Sequence, residues 1–171
     1  MKTVIETKRL KLKELTDQDG LFIHSLFNDP DCLRFIGDRG IGSLADAQCY
    51  LKDKLIHSYQ EQGYGLFRVS LYNNKEPLGI CGLVKRDKEN PPDIGFAFLP
   101  QYRSGGYCTE AAQAVLDWAR GREISKTVLA YTNPDNFASI RVLEKIGLKK
   151  QSITTLPGQD TQSLVLSIKL S

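Results

Sequence analysis

Alternating polar and apolar residues predict a series of strands along the chain. Residues 7–13 alternate so that Leu10 and Leu12 face a core, which predicts an opening strand. After Tyr64 the apolar positions again recur every second residue, and two such runs flank Asn73-Asn74, which is typical of a hairpin. Strands are predicted at 67–71, 78–86, 94–98, 128–132 and 164–170.

Apolar residues at helical spacing predict helices between these strands. The first is predicted from Asp17 to about residue 28, with an apolar face of Leu21, Phe22, Leu26 and Phe27. A short helix is expected after the Asp29-Pro30 break, because the residue before a proline avoids helical angles. Ser43 and Asp46 resemble a capping box that opens a third helix. Two later helices are predicted at 107–120 and 135–146, the second closed by Gly147.

The order of these elements predicts a mixed α/β fold with an antiparallel sheet at its start. Strand and helix do not alternate throughout, so a doubly wound nucleotide fold is excluded. A length of 171 residues suits one domain spanning 1–171.

Composition narrows the possible functions. Apolar residues make up 41% and charged residues 25%, as in an ordinary globular chain, and no apolar run is long enough for a membrane span. The 23 basic and 20 acidic residues are interleaved, which disfavours nucleic-acid binding. No secretory pattern opens the sequence, so we expect a cytoplasmic protein. Four cysteines without a C-x-x-C pair and two histidines, His24 and His57, disfavour a metal site and favour free thiols.

A glycine-containing turn at residues 103–106 joins a predicted strand to a predicted helix. Such a turn exposes the unpaired N–H groups and the positive dipole end of the helix, and glycine lets an anion approach the backbone. The segment therefore suits a phosphate or pyrophosphate, with Arg103 as a forked cation beside it. The alternative is a tight turn that binds nothing.

A second informative segment covers residues 133–148. Asn136 and Ser139 are three residues apart, so both lie on one side of a helix near its start. The alternative is that Asn133 or Asp135 caps this helix and that Asn136 and Ser139 are ordinary surface residues.

Together these segments resemble the GNAT superfamily of acyl-CoA-dependent N-acetyltransferases, in its RimJ/RimL-like branch. The branch pattern T-x-R-L-x-L-R is matched by residues 7–13, with Lys13 in place of the last arginine. The P-x-Y-[RW], Gly-rich and GY-x-TEA segment is matched by 100–111, and N-x-x-S-x-R-V-L-E-K-x-G by 136–147. The resemblance implies a mostly antiparallel sheet of about seven strands, splayed in the middle and flanked by about four helices.

The resemblance also implies acetyl-CoA as co-substrate, and the cysteine and histidine pattern predicts no metal. The backbone of Phe96 to Phe98 would run beside the pantetheine, Asn136 would bind the pantetheine arm, and Ser139 would lie near the sulfur. Backbone N–H groups would hold the pyrophosphate from Arg103, Ser104, Gly105, Gly106, Tyr107, Cys108 and Thr109.

The implied reaction is direct attack of an amine on the thioester. Ser139 is the candidate donor to the departing sulfur, because the tyrosine of many relatives is replaced by Leu143. Cys108 has no nearby histidine and is interpreted as structural. Asp93 is the candidate base, although it could instead be an exposed carboxylate or an anchor for a cationic substrate. Glu110 is the other candidate base.

The acceptor is left open by the sequence. The carboxylates look ordinary, which favours an α-amine near pKa ~8 over a lysine near ~10.4. We expect a protein N-terminus, such as that of a ribosomal protein, or a small-molecule amine. The alternative is a catalytically silent acyl-CoA-binding module. A homodimer is implied only by the family resemblance.

Overall fold

One eight-stranded mixed sheet organises the chain, and the computed structural model describes residues 2–171. All neighbouring strands are antiparallel except β5 and β6, which are parallel. In space the strands follow the order β1-β2-β3-β4-β5-β6-β8-β7. Their bounds are β1 Thr3–Glu6, β2 Leu10–Lys13, β3 Leu66–Leu71, β4 Pro77–Val84, β5 Asp93–Phe98, β6 Thr127–Thr132, β7 Lys149–Thr154 and β8 Ser163–Lys169.

Helices cover both faces of this sheet. A π-helical stretch at Leu51–Ile56 joins α3 to α4 without a break. The capping box is confirmed, since Ser43 Oγ accepts from the Asp46 N–H and Asp46 Oδ2 from the Ser43 N–H. The helix bounds are α1 Gly20–Phe27, α2 Pro30–Phe35, α3 Leu44–Tyr50, α4 His57–Gln62, α5 Tyr107–Gly121 and α6 Phe137–Lys145.

Two hydrophobic cores lie on the two faces of the sheet. One core is built on α5 and α6 and includes Ile94 and Phe98 of β5. The other is built on α1 to α4 and includes Ala97 of β5. Because side chains alternate along a strand, β5 contributes to both cores.

Several boundaries differ from the sequence prediction. The chain has an additional strand at Thr3–Glu6, and β2 begins at Leu10 because the backbone turns at Thr7. Thr16, not Asp17, caps the first helical segment. The prediction that Leu21 faces the core is wrong: Leu21 is 69% exposed, and Ile23 is fully buried in its place.

The sheet opens between β5 and β6. These strands are paired only at Asp93 and Leu129, whereas β4 and β5 stay in register from Asp93 to Phe98. The strands diverge beyond that point, so the predicted splayed mixed α/β sheet is confirmed. Within residues 2–171, no helix is both long enough and apolar enough to cross a bilayer.

Candidate active site

The gap between β5 and β6 is lined by unpaired backbone N–H groups. The Leu99 N–H donates to the Leu78 carbonyl at 2.9 Å. In an antiparallel pair the hydrogen-bonding direction alternates from residue to residue, so the N–H groups of Phe96 and Phe98 point away from β4. Since β6 has already diverged there, these donors face the gap. An extended polar molecule could therefore add to β5 as a further strand would.

The gap leads to the turn between β5 and α5, which we name the cradle (residues 103–109). Ser104 and Gly106 adopt left-handed conformations with φ of 67° and 77°. Gly106 is the N-cap of the 15-residue α5, and no side chain caps the helix there. The first N–H groups of α5 are therefore available to an anion, and the positive end of the helix dipole points toward it.

A side chain at either glycine of the cradle would displace a neighbouring side chain. A Cβ on Gly105 would lie 2.9 Å from the ring of Tyr107, and one on Gly106 would lie 3.3 Å from Nη2 of Arg9. The positive φ of Gly106 adds backbone strain for any other residue. Without side chains at Gly105 and Gly106, the backbone of this turn is accessible to an anion.

Arg9 supports the cradle from the turn between β1 and β2. Its Nε donates to Glu110 Oε2 at 2.6 Å, and its Nη1 donates to the Gly105 carbonyl at 3.0 Å. The guanidinium also lies 4.5 Å from the centre of the Tyr107 ring. Sequence reasoning missed this residue, because Arg9 and Glu110 are 101 positions apart. The only available signal was that the T-x-R-L and T-E-A motifs occur together.

Glu110 is bound to these residues and does not face the gap as a free base. The Thr7 hydroxyl donates to Oε1 at 2.6 Å, and the Arg9 backbone N–H donates to the same atom at 3.0 Å. Partial burial raises the pKa of Glu110, but the hydrogen bonds from Thr7 and Arg9 outweigh it and lower the pKa overall. Glu110 is therefore ionised and holds the cradle to the β1–β2 turn.

Arg103 makes different contacts from those predicted. Its guanidinium donates to Asp31 at 2.7 Å, to Asp29 at 2.5 Å and to the Phe98 carbonyl at 3.0 Å. The side chain thus joins the end of β5 to the start of α2 instead of forming a forked cation beside a phosphate. Its backbone remains part of the cradle.

Asp93 lies at the narrow end of the gap and is only 2% exposed, so the alternative of an exposed carboxylate at a strand start is wrong. Arg86 donates to both carboxylate oxygens, from Nε at 2.9 Å and from Nη2 at 3.1 Å. Burial raises the pKa of Asp93 to about 6, and Arg86 only partly opposes this rise. The expectation of an ordinary carboxylate is therefore also wrong.

The charge of Asp93 affects the pKa of two tyrosines. Burial raises the pKa of Tyr64 and of Tyr131, and the negative charge of Asp93 raises both further. The Arg86 guanidinium lies 5.1 Å from the centre of the Tyr131 ring. Asp93 thus lies in a largely desolvated environment beside the Arg86 guanidinium. A carboxyl group with a pKa near neutrality is suited to accept a proton at physiological pH.

Ser139 is held at two atoms near the start of α6. Its N–H donates to Asn136 Oδ1 at 3.2 Å, and its Oγ lies 3.0 Å from Thr132 Oγ1. Asn136 is therefore the N-cap of α6, which corrects the alternative that Asn133 or Asp135 caps it; Asn133 instead accepts from the Asp135 N–H. The half-buried Ser139 hydroxyl lies beyond the end of β6.

The Cys108 thiol of the cradle and Leu143 of α6 have no chemical role in the site. Burial raises the pKa of the Cys108 thiol to about 12, so the thiol stays protonated, which supports a structural role. Leu143 is buried in the core. Within residues 2–171, no three metal-binding side chains come together in a group that could hold a metal ion.

The fold and the open sheet are those of an acetyltransferase domain. A family model for the acetyltransferase (GNAT) domain matches residues 9–149. The YkkB protein of Bacillus subtilis, which is uncharacterised, is 34% identical over 155 residues that cover 86% of each chain.

Solved structures share the same architecture. An acetyltransferase of the GNAT family from Bacillus anthracis superposes with a TM-score of 0.82 at 25% identity and covers 97% of this chain and 98% of its own. RimL, a ribosomal L7/L12 α-N-protein acetyltransferase solved in complex with coenzyme A, superposes with a TM-score of 0.80 over 98% of both chains. Its identity of 13% shows a common fold only. This chain belongs to the GNAT acetyltransferase family, and its structural neighbours include RimL-like enzymes.

Proposed function

We propose that this protein is an N-acetyltransferase that moves an acetyl group from acetyl-CoA to a primary amine, either the α-amine of a protein N-terminus or a small-molecule amine. One observation carries the proposal. The gap between β5 and β6 offers the free N–H groups of Phe96 and Phe98 and ends at the cradle. This combination fits a long molecule with amide groups along it and a diphosphate at one end.

Each part of the cofactor has a counterpart in the chain. The pantetheine arm would lie along Phe96 to Phe98, and the amide of Asn136 would bind it from the other side. The diphosphate would accept hydrogen bonds from the backbone of the cradle. RimL, which shares the fold, was solved in complex with coenzyme A, and this supports coenzyme A as the bound part of the co-substrate.

Acetyl-CoA supplies a thioester that the amine attacks and a thiolate that leaves. The N–H of Phe96, which lies farther from the cradle than that of Phe98, would stabilise the negative charge that develops on the carbonyl oxygen. Asp93 would accept the amine proton through water, since it is mostly ionised above its pKa of about 6. Ser139 would donate a hydrogen bond to the departing sulfur.

An α-amine is the favoured acceptor. At pH 7 the deprotonation of an α-amine with a pKa near ~8 costs about 1.4 kcal/mol, against about 4.6 kcal/mol for a lysine near ~10.4. A base with a pKa of about 6 is too weak to take the proton readily from a lysine. The RimL enzyme that shares this fold is named for an α-N-acetyl transfer, which supports the same preference.

Thiol release from acetyl-CoA tests the proposal against a panel of α-amine peptides, amino acids, polyamines and lysine-containing peptides with blocked N-termini. We expect release with an α-amine or a small amine, and a lower kcat in Ser139→Ala. Binding of acetyl-CoA without thiol release from any amine would favour a silent acyl-CoA-binding module. Turnover only with lysine side chains would overturn the preference for α-amines.

A further inference from the structure

Thr132 and Ser139 form a pair of hydroxyl groups at the edge of the gap. Thr132 is the last residue of β6 and is 8% exposed, whereas Ser139 is half-buried on α6. Their oxygens are 3.0 Å apart, so a hydrogen bond joins them. In such a pair one hydroxyl donates and the other accepts.

Burial decides the direction of this hydrogen bond. Among residues 2–171, Ser139 Oγ is the only hydrogen-bond partner of Thr132 Oγ1. If Ser139 donated, the proton of the buried Thr132 hydroxyl would have no acceptor, which is costly away from water. If Thr132 donates, its proton has an acceptor and the Ser139 proton is free to point outward. The pair is therefore stable with Thr132 as donor.

The backbone of Ser139 is fixed as well. Its N–H donates to Asn136 Oδ1, which holds the first turn of α6 and places the Ser139 Cα beside the end of β6. A hydroxyl that accepts a hydrogen bond is also a better donor, because hydrogen bonds in a chain polarise one another. Thr132 thus both orients and strengthens the donor that Ser139 presents.

We propose that Thr132 is a positioning residue that directs the Ser139 hydroxyl proton into the gap, toward the leaving sulfur. This inference rests on the proposed function, in which Ser139 assists departure of the thiolate. Thr132 touches neither substrate and acts only through Ser139.

Two matched pairs of variants test this role with acetyl-CoA and the amine identified above. Thr132→Val keeps the shape of the side chain and removes the hydroxyl, and Thr132→Ser keeps the hydroxyl. Thr132→Ala, compared with Thr132→Ser, isolates the hydroxyl without the methyl group. We expect kcat at saturating acetyl-CoA to fall about threefold to tenfold in the Val and Ala variants, the range of one hydrogen bond, with KM unchanged. Thr132→Ser should retain most of the kcat.

The Ser139→Ala background gives the measurement that a merely structural role would not move. Thr132→Val should have no further effect on kcat there, because its partner is already absent.

Two outcomes would overturn the inference while the proposed function stands. In one, the effects of the two substitutions on kcat multiply; in the other, Ser139→Ala lowers kcat while neither Thr132→Val nor Thr132→Ala does. If Ser139→Ala itself leaves kcat unchanged, both the role of Ser139 and the inference fail. Thermal unfolding shows whether each variant is folded. If Thr132→Val does not fold, the comparison of Thr132→Ala with Thr132→Ser replaces it.

Discussion

Asp93 and Ser139 lie on opposite faces of the sheet, on the two sides of the gap between β5 and β6. The Arg86 partner of Asp93 packs on Tyr131, whereas the hydroxyl of Ser139 contacts Thr132. Adjacent residues of a strand point to opposite faces, so Tyr131 and Thr132 separate the two groups. A base on one face and a donor on the other suit an amine that approaches from one side and a thiolate that leaves on the other.

The pH dependence of kcat should follow Asp93. We expect activity to rise with pH through about 6, because the carboxyl must lose its proton to act as base. This rise is the acidic limb of the pH profile. Asp93→Asn should abolish the acidic limb and lower kcat by about 10²-fold, the lower end of the range for a general base. Steady-state rates from pH 5 to 9 check both statements. A full limb in Asp93→Asn would exclude Asp93 as the titrating group.

Arg86 should set the position of that limb. Its positive charge and its two hydrogen bonds lower the pKa of Asp93 against the effect of burial. Arg86→Met removes both and should shift the limb to higher pH, whereas Arg86→Lys keeps the charge and should shift it less. A pH profile that does not move in Arg86→Met would show that the ion pair does not control the base.

Asp93 should also make folding stability depend on pH. Its native pKa of about 6 lies above the ~3.9 of an unfolded chain. The stabilisation from proton binding is therefore fully present below pH ~4 and is lost as pH rises through about 6. Relative to Asp93→Asn, the free energy of unfolding of the wild type should fall by about 2–3 kcal/mol over this window. Urea unfolding at pH 4 and pH 7 measures the difference, and a pH-independent difference would contradict the raised pKa.

Glu110 should support the cradle. Glu110→Gln loses the charge that pairs with Arg9, so we expect the free energy of unfolding to fall by about 1–2 kcal/mol and the Kd for coenzyme A to rise severalfold. Asp117→Asn on the same helix affects only exposed contacts, those with Arg120 and Gln113, and should change stability by less than about 0.5 kcal/mol. Equal effects of the two variants on coenzyme A binding would contradict the role of Glu110.

Local patterns predicted most of the fold. The alternation in 67–71 and 94–98 and the capping box at Ser43 depend on near neighbours, and the structure contains all three. The turn at Gly105 and Gly106 is also predictable from the sequence, because glycine itself indicates a turn of this kind. Leu21 was misassigned because α1 is preceded by a 3-10 turn, which rotates the helical face relative to a helix that starts at Asp17.

Contacts between distant segments could not be predicted in this way. The burial of Asp93 depends on the neighbouring strand and on Arg86, and the roles of Arg103 and Arg9 depend on acidic residues 72 to 101 positions away. The Thr132–Ser139 pair requires the end of β6 to meet the start of α6. Charge pairing in the site is therefore a property of the tertiary structure and has no short sequence signal.

Calorimetric titration of coenzyme A into the wild type and Gly106→Ala tests the central claim, that the cradle binds the diphosphate. A Cβ at residue 106 would lie against Arg9 in a backbone conformation that favours glycine. Gly121→Ala on the same helix is the control, because nothing lies within 4 Å of a Cβ there. We predict binding to the wild type and to Gly121→Ala, and a Kd at least about tenfold higher, about 1.4 kcal/mol, in Gly106→Ala. Absence of binding heat with the wild type, or equal affinity of Gly106→Ala, would contradict the claim.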